Sequence, residues 1–320
     1  MLRKFKRALT GNSRAGIALD GAQAGLARVR RLGDGRLSLA VRVLTTEGGD
    51  REWPDRTASH AASMDLMRTP VSSVLGEDAY QLQLVEMPNV PADELLAAVR
   101  WRLKDLIDFP VEEAVVELLE MPRHANPGNA PIAYAVVTRR SEVLQQIELM
   151  KRADLQMDVI DIPELCIRNI AVLLPQDADG VAFLHFTENC GYLTITRKGI
   201  LHMTRRLETG RRELAAASTD KFALQERIAS ISLEVQRSLD YYESHYDCRP
   251  VTEIVLGPGA DLDVLPAALT EHLGLTVNRL GLEDLFILED DVSAEEQGGS
   301  LLAVGAALRP HPSAQQVAAA

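Results

Sequence analysis

This sequence has few histidines and cysteines that could bind a metal or act as nucleophiles, and their spacing is typical of neither a metal site nor a catalytic site. The chain has 7 histidines and 3 cysteines, and their one tight pair is His245 with Cys248. A structural zinc site commonly needs four ligands, and this pair has no nearby companions. The GxSxG, Walker A and HExxH motifs, which position a nucleophile, a phosphate or a catalytic metal, do not occur in the sequence. The pattern therefore predicts no catalytic residues and no metal site.

Clusters of charge are the other feature that could carry chemistry. Residues 289–291 and 295–296 are acidic and stand beside Gly298 and Gly299, which indicates a solvated polar loop rather than a metal cage. The basic pairs 205–206 and 211–212 predict a solvated face, with contact to an acidic partner as the alternative.

The N-terminal residues 1–9, MLRKFKRAL, interleave basic and apolar residues. Two interpretations stay open for them. They form either a frayed basic leader or a segment that rests on an anionic membrane surface or on a partner.

Composition narrows the class of protein. At 320 residues the chain exceeds a typical single core, so we expect two domains. A hydrophobic content of 46% with 25% charged residues is typical of a globular protein, and a net charge of -12 argues against nucleic-acid binding. Cysteines in odd number without a CxxC pair indicate free thiols in a reducing compartment. We find no run of about 20 apolar residues and no signal peptide, and so expect a cytoplasmic protein.

The elements that must position any site follow one pattern twice. Strand segments first form a meander, and later strands alternate with helices, on each side of a break after Pro175. We therefore predict two related α/β domains that face each other. The division is a leader at 1–14, domains at 15–175 and 176–309, and a disordered tail at 310–320.

Residues 92–122 join an amphipathic helix, an aromatic-proline stop and an alternating strand. Proline disfavours helical dihedrals in the residue before it, so Phe109-Pro110 should end the helix. Trp101 adjoins arginines on this helix and is either a half-buried packing residue or an interface anchor. Trp101, Phe109 and Pro110 are our candidates for binding a partner. An ordinary helix-loop-strand packed on a core is the alternative.

Five segments carry a family resemblance. In order they are GIALDGAQAGLARVRR, AVRWRLKDLIDFPVEEAVVEL, VIDIPELCIRNIA, EIVLGPGADLDVLPAAL and SLLAVGAALR, which span about residues 16–309. The chain resembles the PilM group of actin-like proteins of type IV pilus assembly, and within it the relatives that serve MSHA-type pilus biogenesis. No single segment is specific for this family. The occurrence of all five in the same order over nearly the whole chain makes the resemblance specific.

The resemblance implies an α/β, actin-like fold of two RNase-H-like domains, with an additional subdomain inserted in the first domain at about 76–138. It also implies a cytoplasmic place, peripheral to the inner membrane, at a pilus assembly platform. The expected function is that of a scaffold that binds the cytoplasmic tail of a PilN-like bitopic protein and contacts other platform proteins. The alternative is an actin-like ATPase whose nucleotide state controls that partner.

The same resemblance implies where a nucleotide would bind, and the first phosphate hairpin is altered. Members with a working site resemble G-I-D-I-G there, whereas residues 16–20 read GIALD, so Ala18 takes the place of the acid. Asp20 and Gly21 could take over this role after a shift of two residues, because side chains two residues apart on a strand point to the same face.

The second hairpin departs further from the family pattern. Members resemble D-I-G-A, whereas residues 185–188 read HFTE, so His185 replaces the acid and Thr187 replaces the glycine. Gly257 and Gly259 keep the shape of the adenosine turn. Asp20, Gly21, Gly257 and Gly259 are thus the candidates for residual nucleotide contact. We expect no cofactor, with ATP and magnesium as the alternative, and no ATPase activity.

Overall fold

The computed structural model describes residues 13–45, 53–122, 130–246, 249–259 and 263–309, and within them the strands form three sheets. The first sheet has the order β14-β3-β2-β1-β4-β8 and the second has the order β11-β10-β9-β12-β13. In each, an antiparallel meander of three strands is followed by two strands that run parallel to its first strand. The two domains therefore repeat one topology, as the sequence pattern predicted.

The strands of the first sheet are β1 (Ser13–Asp20), β2 (Gln23–Arg31), β3 (Leu37–Thr45), β4 (Val71–Val74), β8 (Met157–Asp161) and β14 (Ile287–Leu288). Those of the second sheet are β9 (Val181–Phe186), β10 (Gly191–Arg197), β11 (Ile200–Leu207), β12 (Glu253–Leu256) and β13 (Thr276–Arg279). The helices outside the inserted subdomain are α1 (Trp53–Ser63), α3 (Arg140–Arg152), α4 (Pro163–Ala171), α5 (Arg211–Ala217), α6 (Lys221–His245), α7 (Leu265–Leu273) and α8 (Ala294–Ala307).

The inserted subdomain lies between β4 and α3. It is a three-stranded antiparallel sheet in the order β5-β7-β6 covered by helix α2. Its elements are β5 (Tyr80–Glu86), α2 (Ala92–Leu103), β6 (Ala114–Glu120) and β7 (Ile132–Arg139). Val99 and Leu103 on α2 are fully buried against this sheet, as their spacing predicted, whereas Leu106 lies beyond the helix and is exposed.

Helix α8 begins earlier than the sequence pattern indicated. We expected residues 295–299 to form a polar loop, but the helix starts at Ala294. The Ser293 hydroxyl accepts a bond from the Glu296 amide, and the Glu296 carboxylate accepts one from the Ser293 amide. This reciprocal capping box explains the early start. The prediction of a solvated loop at residues 295–299 was therefore wrong.

Helix α8 also packs with the first domain, although residues up to 309 were assigned to the second. Its last ten residues are almost all buried around the whole circumference, including Leu301, Ala303 and Val304. A helix that is apolar all round needs cover on every side. It lies on β1 and β2, crosses α4, and joins a core built from both large sheets. β14, just before it, pairs with β3.

Glycines let the α8 backbone approach its neighbours directly. A Cβ atom built on Gly16 would lie 1.9 Å from the Ala303 carbonyl oxygen, and one on Gly25 would lie 2.4 Å from the Gly299 carbonyl oxygen. A Cβ on Gly305 would lie 2.2 Å from the carbonyl oxygen of Cys166. These distances are far below contact, so each position excludes a side chain.

Several smaller predictions can be compared with the structure. Cys166 and Cys190 are free and buried.

In the ranges given above, none of the helices combines the length and apolar character needed to cross a bilayer. The described residues do not include Cys248, 1–12, 123–129 or 310–320. The predictions for the His245–Cys248 pair, for most of the basic leader and for the tail therefore lie outside them.

We predict that Gly16→Ala destabilises the protein, because the new methyl group would overlap the Ala303 carbonyl of α8. Overpacking of this kind lowers the free energy of unfolding by about 1–3 kcal/mol. Denaturant unfolding followed by circular dichroism measures the change. Gly33→Ala is the matched control, since a Cβ there meets nothing within 4 Å and should change stability by no more than about 0.5 kcal/mol. Equal effects at both positions would contradict the close packing of α8.

Candidate functional site

The turns that begin the two domains face each other across a cleft. The first turn joins β1 to β2 through Gly21, whose φ of +57° suits glycine. The second joins β9 to β10. The cleft between them has a volume of about 530 Å³. Its lining combines apolar, acidic and neutral polar residues with two glycines, namely Leu19, Asp20, Gly21, Leu75, Gly76, Glu77, Asp78, Ala79, Glu142, Pro163, Thr187, Asn189, Tyr192 and Leu302.

Asp20 connects the two hairpins directly. Its Oδ2 atom accepts a hydrogen bond of 2.9 Å from the backbone amide of Glu188, at the start of the second turn. Burial raises the pKa of Asp20 to about 6, although the Glu188 amide and the Arg211 charge act in the opposite direction. Asp20 therefore lies at the end of β1 facing the second hairpin, where it serves as an acceptor for the protein itself.

Arg211 adds a second bridge between the domains. Its Nη2 atom lies 3.8 Å from Asp20 Oδ2 and 3.9 Å from Glu188 Oε2, and donates a bond of 3.4 Å to Gln23 Oε1. The residue is buried, with 8% of its surface exposed. The prediction that residues 211–212 form a solvated face was thus wrong for Arg211.

The short helix α5 places this arginine, and sequence reasoning missed it. The Arg211 amide donates to the Thr187 carbonyl at 2.9 Å, which fixes the start of the helix on the second hairpin. The Glu213 carboxylate accepts a bond of 3.0 Å from the Gly210 amide. A glycine followed three residues later by glutamate was the available signal for this helix start.

Thr187, at the tip of the second hairpin, is hydrogen-bonded within the turn. The Thr187 amide and hydroxyl both donate to the Cys190 carbonyl, at 2.9 Å and 3.1 Å. His185 is fully buried, and burial lowers its pKa to about 3, so its imidazole is neutral. Its ring packs against Gly257.

The glycine turn after β12 is packed against protein atoms. A Cβ on Gly257 would lie 2.8 Å from His185 Nδ1, and one on Gly298 of α8 would lie 2.9 Å from the Pro258 carbonyl oxygen. The Gly259 carbonyl accepts a bond from the Arg279 guanidinium. Gly257 and Gly259 therefore follow strand β12 directly, and α8 packs against this segment.

The residues of the cleft do not fit a magnesium-bound nucleoside triphosphate. Phosphate sites need free backbone amides and a cation, whereas the Glu188 amide is taken by Asp20. Four carboxylates line the cleft, those of Asp20, Glu77, Asp78 and Glu142. Within the described part of the chain, no group of three or more His, Cys, Asp or Glu side chains is placed to hold a metal ion.

A buried polar network beside the cleft ties the inserted subdomain to both domains. Tyr80 at the start of β5 donates a bond of 2.7 Å to Glu164 on α4. Cys190 Sγ donates to the Glu77 carboxylate at 2.9 Å, and Arg206 donates to the Glu77 carbonyl at 2.5 Å. Burial raises the pKa of Glu164 to about 7. The sequence carried no signal for this network, because its members are far apart along the chain.

The three candidates for partner binding lie on the inserted subdomain. Trp101 is 76% exposed on α2, so it does not pack in the core. Phe109 is half-buried, with the Arg139 guanidinium carbon 4.1 Å from its ring centroid, and Pro110 is exposed. Phe109 lines a small cavity of about 80 Å³ where the subdomain meets the first domain. Trp101 is not among the residues that line this cavity.

Comparison with solved structures identifies the fold. The structure of a PilM-PilN type IV pilus biogenesis complex matches with a TM-score of 0.72 at 20% identity, covering 92% of this chain and 97% of that chain. The cytoplasmic domain of EpsL, an inner membrane component of the type II secretion system of Vibrio cholerae, matches with a TM-score of 0.53 at 12% identity, covering 93% and 96%. No protein-family model and no curated protein sequence matches. The chain has the actin-like fold, with a subdomain inserted in its first domain.

Proposed function

We propose that this protein is a non-catalytic cytoplasmic scaffold of a type IV pilus assembly platform, peripheral to the inner membrane. In this role it binds the cytoplasmic tail of a PilN-like bitopic membrane protein and contacts other platform proteins. The observation that carries the proposal is the similarity to the PilM-PilN structure over 92% of the chain. The resemblance of the five sequence segments further favours an MSHA-type system and a role like that of MshI.

The inserted subdomain is the proposed docking site for the tail. It combines an exposed aromatic anchor, Trp101, with the exposed Pro110 and the Phe109 cavity. Large aromatic side chains that are exposed in the free protein are typical of binding hot spots. An extended apolar segment that enters the Phe109 cavity could also contact Arg139, which lines the same cavity.

The proposed scaffold works without nucleotide. The closed arrangement of the two hairpins rests on Asp20, Glu188 and Arg211, which are groups of the protein itself. In the alternative, an actin-like ATPase, a nucleotide and its metal would have to separate these contacts and to approach the acidic lining of the cleft. No contact in the described residues favours that alternative.

We predict that millimolar Mg-ATP leaves the thermal unfolding midpoint unchanged within about 1 °C. A ligand that binds the folded state alone at a hundred times its Kd stabilises it by about 2.7 kcal/mol. Differential scanning fluorimetry measures the shift, with magnesium alone and ATP alone as controls for ionic effects. A saturable rise in the midpoint with Mg-ATP would support the ATPase instead.

We predict that Asp20→Asn gains stability relative to the unmutated protein as pH rises. Asparagine keeps the acceptor for the Glu188 amide but cannot ionise. The pKa of folded Asp20 is about 6 against an ordinary 3.8, so ionisation removes stability as pH rises through that range. The gain should be about 1–3 kcal/mol between about pH 4 and pH 7, measured by urea unfolding.

The comparison between the two proteins isolates Asp20. Burial also shifts the pKa values of His185 and Glu164, and these groups titrate in both proteins, so their contributions cancel in the difference. A stability difference that stays constant across the pH range would contradict the buried bridge.

We predict that Trp101→Ala weakens binding of the PilN-like tail by at least tenfold, since a hot-spot truncation costs about 2 kcal/mol or more. Fluorescence polarisation of a labelled tail peptide measures the affinity. Phe222→Ala is the matched control, because Phe222 is 82% exposed on α6 of the second domain. Normal binding by a folded Trp101→Ala protein would exclude Trp101 as an anchor.

A further inference from the structure

A second concave surface lies at the end of the interdomain core that is remote from the cleft. It is a groove of about 610 Å³ where the C-terminal ends of α4 and α8 meet the edge of the first sheet and the β10–β11 turn. We name it the arginine groove. The residues that line it are Arg14, Val29, Arg31, Leu37, Arg168, Asn169, Val172, Leu173, Gly199, Ala307, Leu308 and Arg309.

Three of the four arginines that line the arginine groove form no direct ion pair with a carboxylate in the described part of the chain. Arg14, Arg31 and Arg168 each donate to a backbone carbonyl, those of Arg309, Gly35 and Gly199 respectively. Among the described residues, none of these three arginines has a carboxylate within 4 Å, and no acidic residue lines the groove. In a chain with a net charge of -12, this concentration of cations is local.

The nearest carboxylates act on these arginines only through longer-range electrostatics, Asp158 on Arg14, and Asp161 and Asp177 on Arg168. Asp161 is paired with Arg309 at 2.7 Å, and Asp177 accepts a bond of 2.7 Å from the Gly199 amide. Arg168 is the most enclosed of the three free cations, and its Nε atom is buried without a hydrogen-bond partner in the described structure. Burial lowers the pKa of Arg168, so an anion placed beside it would offset a desolvation cost.

Apolar side chains stand next to these cations. Val172 and Leu173, which follow α4, are 42% and 37% exposed, and Ile200 beside Gly199 is 50% exposed. Val29, Leu37 and Leu308 complete the apolar part of the groove. A surface that alternates guanidinium groups with exposed aliphatic side chains matches a ligand with the reverse charge and the same apolar character.

We propose that the arginine groove is a docking site for an acidic, amphipathic peptide segment of a second partner protein. Carboxylates of the segment would pair with Arg14, Arg31 and Arg168, and an apolar residue between them would cover Val172 and Leu173. This site goes beyond the proposed function, since it shares no residue with the tail site on the inserted subdomain.

The shape and charges favour a peptide over other anions. An anionic membrane is bound by an exposed basic face or an amphipathic helix, whereas these cations line a recess between two domains. Nucleic acid requires a broad basic surface, which an overall acidic protein with three free cations in one groove does not offer.

Site-specific crosslinking in the native cell tests the proposal. The photoreactive residue p-benzoylphenylalanine is introduced at position 173 (Leu173→p-benzoylphenylalanine) of the full-length protein, and the cells are irradiated. Mass spectrometry then identifies the peptide to which this residue has crosslinked. We expect a peptide that carries at least two acidic residues beside an apolar one. Its synthetic form should bind the purified protein, and binding should weaken at least tenfold with Arg31→Glu.

Arg31 is chosen because it is exposed at the end of β2, so its replacement spares the core. Lys221→Glu, an equal charge change at an exposed position of α6, is the matched control and should leave the affinity unchanged. Binding of the PilN-like tail should be the same in Arg31→Glu as in the unmutated protein, which separates this test from that of the proposed function.

Four results would overturn the proposal. They are an adduct with another copy of this chain, an adduct with lipid, the absence of any adduct, and synthetic-peptide binding that Arg31→Glu does not weaken.

Discussion

The arrangement of the whole molecule depends on direct backbone contact between helix α8 and the elements beneath it. Gly16 and Gly25 on the first sheet leave no side chain between sheet and helix, and Gly305 does the same for the crossing with α4. Packing at such distances tolerates little sliding, because interiors are close-packed and a shift of one helix would bring backbone atoms into overlap. The two central helices therefore fix how the two large sheets face each other.

Both surfaces discussed above follow from that fixed crossing. The N-terminal end of α4 and the middle of α8 close the floor of the acidic cleft, where Pro163 and Leu302 lie. The C-terminal ends of the same helices form the arginine groove. A rotation of one domain on the other would change the two surfaces together. Because Asp20 and Arg211 join the hairpins at the cleft, they also help to hold the shape of the groove at the other end.

The sequence allowed the features that depend on short-range patterns, such as the order of strands and helices, to be predicted. It did not reveal the features that depend on contacts between distant residues. The repeated order of strands and helices was readable because hydrophobic periodicity and glycine or proline breaks are local signals. The extent of α8 was misjudged, although the Ser293 and Glu296 capping box was visible. The role of Arg211 was not readable at all. A solvated arginine and one buried against Asp20, which lies 191 residues earlier in the chain, look the same in sequence.

In the cleft, groups of the protein itself connect the two hairpins. Where a nucleotide would join two domains by binding both hairpins, this chain joins them with a carboxylate, an amide and a guanidinium. A charged group buried between domains costs desolvation, and a partner in place at short range offsets that cost. The raised pKa of Asp20 shows that the Glu188 amide and Arg211 offset only part of this desolvation cost. In the proposed scaffold, this bridge would keep the docking surfaces in one arrangement, and control of assembly would then come from the partners rather than from a bound nucleotide.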